Sequence, residues 1–318
     1  MLKKCFCHGA LFLNLPYLFL NRKNTALEKL LWRIVSDGSE RFDTHFDLAV
    51  SYIEGGSAYY VHDHVSAAKK AAFIHVDYVQ AGYTRRLDKD CYVDFDRIFA
   101  VSDETAGVFA GVYPECQQKL SVFHNLIDTE AIRQKALLPA EKAMHEGIRL
   151  LTVGRLTPQK GFDCAVYALK LLLEKQYPVY WYIIGEGPEY GRLTQLARSL
   201  HVEDHFIFLG MQTNPYPYFK MADFYIHATR FEGKSIAIQE AQVLGCAIAA
   251  SDCSGNREQI VSGVDGLLCP FSPEGIANAV EYLIEHPQTA ESFGRAAAQK
   301  ACHFENDIHM IRDLLYSP

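Results

Sequence analysis

The stretch Ile148-Arg-Leu-Leu-Thr-Val-Gly154, the loop to Gly161, the segment Phe162 to Lys175, and Val179-Tyr-Trp-Tyr-Ile-Ile-Gly185 together set the architecture. It reads as a strand ending in glycine, a polar loop, apolar residues at helical spacing, and a second strand ending in glycine. The pattern then repeats. Pro188 to Leu200 reads as a helix. Phe206-Ile-Phe-Leu-Gly210, Phe224-Tyr-Ile-His227 and Ala247-Ile-Ala-Ala-Ser251 read as strands, and Ser235 to Leu244 and Pro273 to Glu285 as helices. Near-continuous apolar strands alternating with helices predict a parallel sheet covered on both faces.

Upstream the same alternation is looser. Asp47-Leu-Ala-Val-Ser-Tyr52, Ala71-Ala-Phe-Ile-His75, Arg97-Ile-Phe-Ala-Val101 and Ser121-Val-Phe-His-Asn125 read as strands. A helix follows Val101, with Ser102 as its N-cap, because its hydroxyl can accept from an orphan backbone N–H. The polar stretch Leu138 to Gly147 reads as a linker. The expected class is α/β, with two Rossmann-like domains whose parallel sheets face a cleft. Residues 1–140 form the first, 146–300 the second, and 301–318 a C-terminal helix returning to the first. Ligands of such sheets sit outside the carboxyl ends of the strands, where Gly154, Gly185 and Gly210 fall.

Composition agrees with this scale. A chain of 318 residues corresponds to roughly two domains at about 150 residues each. With 49% hydrophobic and 22% charged residues it can bury a large core, which excludes disordered and low-complexity classes. The net charge of −7 lacks the basic footprint that nucleic-acid binding needs. Nine scattered cysteines with no paired CxxC elements predict free thiols in a reducing compartment and no structural zinc. Lys3 and Lys4 precede an apolar stretch from Gly9 to Leu20 that Asn14 and Pro16 interrupt. It is too short to span a bilayer and no small-x-small cleavage site follows, so a buried or membrane-facing helix is expected. The expected location is cytoplasmic, peripheral at the inner membrane face.

Four motifs carry chemistry. In Val153-Gly-Arg-Leu-Thr-Pro-Gln-Lys-Gly161, Arg155 and Lys160 emerge at a sheet edge, where they suit a diphosphate or stand as solvated cations. Ile184-Gly-Glu-Gly-Pro188 lacks the third glycine of a dinucleotide fingerprint, so Gly185 and Gly187 read first as turn formers. In Arg230-Phe-Glu-Gly-Lys-Ser-Ile-Ala-Ile-Gln-Glu-Ala241, Glu232 precedes a helix and Glu240 lies within it. The two carboxylates can bind hydroxyls at two parts of one ligand, with phosphate at the helix N-terminus between them, or they are exposed, one of them capping. In Phe73-Ile-His-Val-Asp77, His75 ends a strand, which admits either a structural or a functional role.

Together these motifs resemble the retaining glycosyltransferases of family 4, which have the two-domain GT-B architecture. The resemblance rests on Gly154-Arg155 with Lys160-Gly161, the Gly185-Glu-Gly187 turn, Ala222-Asp223, and above all Glu232 to Glu240 as an E-x7-E element. Gly-Cys-Ala-Ile-Ala-Ala-Ser-Asp252 and Gly263-Val-Asp-Gly266 complete the order. It covers nearly all of residues 45 to 290. Glu-Gly-Lys-Ser235 looks like the variant of capsule and lipopolysaccharide enzymes.

The resemblance implies roles. Arg155 and Lys160 would hold the donor diphosphate and neutralise charge on the leaving nucleotide. Glu232 would contact the donor sugar hydroxyls and Glu240 the ribose. Backbone amides of Gly233, Lys234, Ser235 and Ile236 would contact phosphate and sugar, and Gly154, Gly185 and Gly187 would border the donor. His75 would line the sugar site from the other domain. The donor would be a UDP- or GDP-hexose, bound without a metal or other cofactor, and the acceptor a glycan or a lipid-linked glycan. Relatives normally open with a strand and a glycine-rich loop. Here Met1-Leu-Lys-Lys and an apolar helix open the chain, so about fifty to eighty residues of first-domain elements are expected to be missing. The alternatives are an inactive nucleotide-sugar-binding remnant or partner subunit, and an epimerase on a similar frame.

Overall fold

A computed structural model describes residues 27–301 and 306–316. The apolar stretch from Gly9 to Leu20, with Cys5 and Cys7, lies outside these residues. Two compact units form: Met1–Leu126 with Asn306–Pro318, and Ile127–Glu305.

The first unit carries four parallel strands, β1 (His45–Ser51), β2 (Ser66–Ile74), β3 (Arg97–Ala100) and β4 (Leu120–Val122), adjacent in chain order. Three of its helices are α1 (Leu27–Asp37), α2 (Gly56–His64) and α3 (Asp103–Val112). The Ser102 hydroxyl caps α3, accepting from the Thr105 N–H at 3.2 Å. Alternation along the strands sorts two faces. Ala72, Ile74 and Ile98 pack with Ala58, Tyr59 and Phe109 on one side. Ala71, Phe73, Phe99 and Phe123 pack with Leu314 on the other. β2 begins five residues earlier than the apolar run at Ala71, because Lys69 and Lys70 find backbone carbonyls, Lys70 that of His62 at 2.8 Å.

The second unit opens with α4 (Thr129–Lys135) and holds six parallel strands. These are β5 (Ile148–Val153), β6 (Val179–Ile184), β7 (Phe206–Gly210), β8 (Phe224–His227), β9 (Ala247–Ser251) and β10 (Leu267–Cys269). Its longer helices beyond α4 are α5 (Phe162–Glu174), α6 (Tyr190–Ser199), α7 (Tyr216–Met221), α8 (Ile236–Val243), α9 (Pro273–Glu285) and α10 (Pro287–Ala301). The order β10-β9-β8-β5-β6-β7 reverses between β5 and β8. Leu150, Trp181 and Ile183 point into one core with α5 and α9; Leu151, Tyr182 and Ile184 point into the other with α8. Helix α9 starts where Ser272 accepts from the Gly275 N–H at 3.0 Å, with Pro273 in its first turn.

Two differences from the sequence expectation have clear causes. The unit boundary falls at Leu126/Ile127 rather than in the linker after residue 138. Helix α4 lies before that polar stretch yet buries Ile132 against Val243 and Ala301 of the second unit. Helix α10 was not anticipated from spacing, since its buried face is largely alanine with Gly294. A Cβ on Gly294 would stand 2.3 Å from the Gly245 carbonyl, so only glycine admits this approach. The last helix, α11 (Ile308–Tyr316), covers the first sheet, and Asp307 before it accepts from the His124 backbone N–H at 2.7 Å.

Candidate functional site

Neighbouring strands β5 and β8 lie at the reversal, and the loops leaving their carboxyl ends are tied together. Gln159 makes the tie. Its carbonyl accepts from the Arg230 N–H at 2.9 Å and the Thr229 hydroxyl at 3.1 Å. Its side-chain amide donates to the Phe231 carbonyl at 3.0 Å. Arg230 forks onto Asp163 at 3.0 and 2.7 Å and lies 4.9 Å over the Phe271 ring, which anchors the second loop further. The consequence is an ion pair between the Lys160 ammonium and the Glu232 carboxylate, side chains 17% and 11% exposed.

A third loop closes on the same place. The Ser251 hydroxyl accepts from the Thr229 N–H at 2.9 Å and donates to its carbonyl at 2.5 Å. Asn256 donates to the Ser251 carbonyl at 2.8 Å. Gly255 presses on the Glu232–Gly233 peptide: a Cβ there would sit 2.0 Å from the Gly233 carbonyl oxygen and 2.4 Å from that of Glu232. No side chain fits, so glycine at 255 is a condition for the position of Glu232.

The electrostatics follow from burial and pairing. Burial alone opposes ionisation of Glu232, but the His227 ring and the Lys160 ammonium outweigh it and hold the carboxyl at about 2. His227, at the end of β8, is 2% exposed, and its Nε2 lies 3.4 Å from Glu232 Oε2. Burial lowers this imidazole below its ordinary value, although the Glu232 contact works against that. Burial instead raises Glu240, although the Tyr216 hydroxyl donates to it at 2.9 Å.

Among the residues singled out from sequence, Arg155 is exposed and makes no ion pair among the described residues. Gly154 lies under the Lys160 side chain, whose Cδ is 3.7 Å from where its Cβ would be. Gly185, at φ +141°, and Gly187 are turn formers; a Cβ would come 2.0 Å from the Gly154 carbonyl and 2.4 Å from that of Leu156. Gly233 is buried, Lys234 half-buried, and Ile236 exposed at the start of α8. One expectation is corrected: the Ser235 amide does not wait for a phosphate. It donates to Gln259 Oε1 at 2.7 Å, while Gln259 Nε2 donates to the Ser235 carbonyl at 2.9 Å. A buried glutamine thus fills the peptide position that the helix-terminus argument had reserved for a ligand.

In the first unit, His75 sits at the end of β2 and its backbone N–H donates to Glu54 at 2.9 Å. Its ring stacks on Phe73, with centroids 5.9 Å apart, and meets Tyr52 at 5.1 Å. Burial lowers its pKa against the pull of Glu54, and Nε2 has no hydrogen-bond partner.

Gln159, Gly255, Gln259 and Tyr216 were missed, since nothing in their local pattern marks them. His227 could have been found. It ends a strand as His75 does, and the strand-end rule applies equally to both.

A family model described as Glycosyl transferases group 1 matches residues 133–300. The chain belongs to this family. It is 30% identical over 200 residues to the N-acetylgalactosamine-N,N'-diacetylbacillosaminyl-diphospho-undecaprenol 4-alpha-N-acetylgalactosaminyltransferase of Campylobacter jejuni, covering 62% of this chain and 53% of that one. An uncharacterised glycosyltransferase of Haemophilus influenzae is 33% identical over 158 residues, 48% of this chain and 44% of that one. The group 1 chain spans about half the length of these curated relatives. Among solved structures, HepE of Anabaena in complex with UDP superposes with a TM-score of 0.65 at 19% identity, covering 79% of this chain and 72% of that one. A glycosyltransferase of Rickettsia africae gives 0.69 at 17% identity, covering 95% and 83%. These likenesses establish the fold, which is of the GT-B type.

Among the described residues of this group 1 protein, no helix is long and apolar enough to cross a membrane. No group of three or more His, Cys, Asp or Glu side chains is placed to hold a metal ion among them. Cys91, Cys116, Cys164, Cys246 and Cys269 are buried free thiols.

Proposed function

We propose that this protein is a retaining glycosyltransferase that moves a hexose from a nucleotide-sugar donor to a cell-surface glycan or lipid-linked acceptor. The observation that carries the reading is the partly buried Lys160–Glu232 pair at the strand-order reversal. A cation and a carboxylate held side by side match the two chemistries of a nucleotide-sugar: a diphosphate next to a ring of hydroxyls.

In this reading Lys160 and Arg155 neutralise the charge that grows on the diphosphate as its bond to the anomeric carbon breaks. Glu232 accepts from hydroxyls of the sugar. The acceptor hydroxyl oxygen then bonds to that carbon from the face the diphosphate leaves, and its proton passes to the departing diphosphate oxygen. Glu240, held by Tyr216, binds the ribose hydroxyls. Amides of Gly233, Lys234 and Ile236 remain candidates for phosphate and sugar, with no metal or other cofactor assigned. The UDP in the HepE structure and the lipid diphosphate in the Campylobacter relative's name support a UDP-sugar and a lipid-linked acceptor. Work at the inner membrane face, through contacts of the first unit, belongs to the same proposal.

The test is a thermal-shift screen against UDP, GDP and their sugars. Ligand at about 100 times its Kd stabilises by about 2.7 kcal/mol, so a bound nucleotide raises Tm visibly. Transfer by the full chain should follow with the donor that shifts it. No shift with any nucleotide overturns the reading. A shift without transfer or donor hydrolysis favours a nucleotide-sugar-binding remnant or partner subunit.

A further inference from the structure

His227 ends the strand that leads into the Glu232 loop. We propose that His227 is a positioning residue for Glu232: its Nε2, 3.4 Å from the carboxylate, donates to it after a small adjustment of either side chain and holds it in the orientation in which it also meets Lys160. This rests on the reading of Glu232 as the donor-sugar contact.

The tautomer is set from below. Tyr225 and His227 are two residues apart on β8, so both side chains leave the same face. The Tyr225 hydroxyl lies 3.3 Å from His227 Nδ1. In the proposed arrangement the phenol donates to Nδ1. A neutral imidazole that accepts at Nδ1 carries its proton at Nε2. Nε2 is buried and makes no hydrogen bond in this structure, and Glu232 Oε2 lies 3.4 Å from it. A buried donor without an acceptor is costly, so the ring and the carboxylate constrain each other.

The proposed chain therefore runs from Tyr225 through His227 to Glu232, with Lys160 on the far side. The groups facing His227 are Tyr225 on its own strand, Glu232 from the following loop and Lys160 from the loop after β5. A proton added to His227 would place a second buried cation beside Lys160. Burial and Lys160 both disfavour it, so the ring acts through its geometry and not as an acid or base.

The experiment compares His227→Leu and His227→Gln with the parent full chain, using whichever UDP- or GDP-sugar the parent turns over. Loss of the donor in His227→Leu should lower kcat on the order of tenfold or more, as removal of orienting partners does elsewhere, with the donor KM within about twofold. The acid limb of the kcat profile should move upward, because Glu232 loses a partner of its ionised form. His227→Gln, whose amide N–H can reach the same carboxylate, should recover part of the rate. Wild-type kcat and pH profile in His227→Leu overturn the proposal. Equal losses in both variants that track melting temperature also overturn it, since that marks packing alone. A second arm needs no substrate: nitrogen NMR of the parent should show His227 protonated at Nε2, with that signal moved by Glu232→Gln. An Nδ1-protonated ring, or a signal blind to Glu232→Gln, overturns the proposal. If no sugar nucleotide is turned over, the functional reading fails, and the NMR arm alone decides the contact.

Discussion

The four-stranded sheet runs β1-β2-β3-β4 in one direction, whereas the six-stranded sheet turns back between β5 and β8. At the reversal, loops 154–161 and 228–235 come from adjacent strands that are far apart in sequence. Gln159 and Gly255 lock them, and Lys160 meets Glu232 across the join. In the first sheet the strand-end residues make nearer contacts. The His75 backbone N–H bonds to Glu54 and its ring meets Tyr52, both on the segment that follows the neighbouring strand. The difference shows that carboxyl ends of parallel strands are not equivalent. A reversal gathers distant charged groups into one place, while a monotonic order spreads them out.

The comparison breaks first at the ion pair. Glu232→Ala or Lys160→Ala should each cut transfer on the order of 10²–10³-fold, the scale of losing one electrostatic contact to a reacting centre. Circular dichroism should show the fold intact. Near-normal transfer in either variant would remove the second sheet's special status.

The next test belongs to the first unit, whose largest buried charge problem is structural. Asp88 is fully buried and accepts from the hydroxyls of Tyr59 at 2.6 Å, Tyr113 at 3.0 Å and Tyr78. Burial raises its carboxyl to about 7, against the opposing hydrogen bonds and Arg33. Between the ordinary carboxylate value near 4 and about 7, the folded chain keeps a proton that the unfolded chain has released. Stability therefore falls as pH rises through that window, by about 4 kcal/mol at most. Denaturant unfolding at pH 4, 5.5 and 7 should show the decline, and Asp88→Asn should flatten it. An unchanged slope in Asp88→Asn would reassign the titration.

Smaller effects sharpen the contrast. Gly255→Ala should destabilise the second unit by about 2 kcal/mol, because the loop must withdraw from Glu232–Gly233. UDP should bind more weakly in the same variant by calorimetry; unchanged stability and binding would show that the loop yields freely. His75→Ala should lower transfer by about tenfold or more, the least expected of a residue in acid–base or positioning contact, with UDP affinity unchanged. A matching loss of UDP affinity would place His75 with the nucleotide rather than with the sugar or acceptor.

Much of this was legible locally. Strands β5 to β9 of the second sheet were readable because both of their faces are apolar, whereas β10, three residues long, was not; Ser102 was readable because a cap needs only its own helix. β2 was read short because its first residues are polar and find partners only in the fold. Helix α10 was missed because alanine and glycine give weak spacing. The E-x7-E element was legible as a pair, but not the occupation of the Ser235 amide by Gln259, 24 residues later.

By itself the sequence determined the α/β class, the run of parallel strands, and the residue types able to meet a diphosphate and a sugar. Each depends on periodicity or side-chain chemistry within about a dozen residues. Only the tertiary structure decided the order of the strands, the unit to which α4 belongs, and the meeting of Lys160 with Glu232 over His227. Those outcomes depend on which loops a strand-order reversal brings together. Residues separated by 72 positions carry no local signal of their contact.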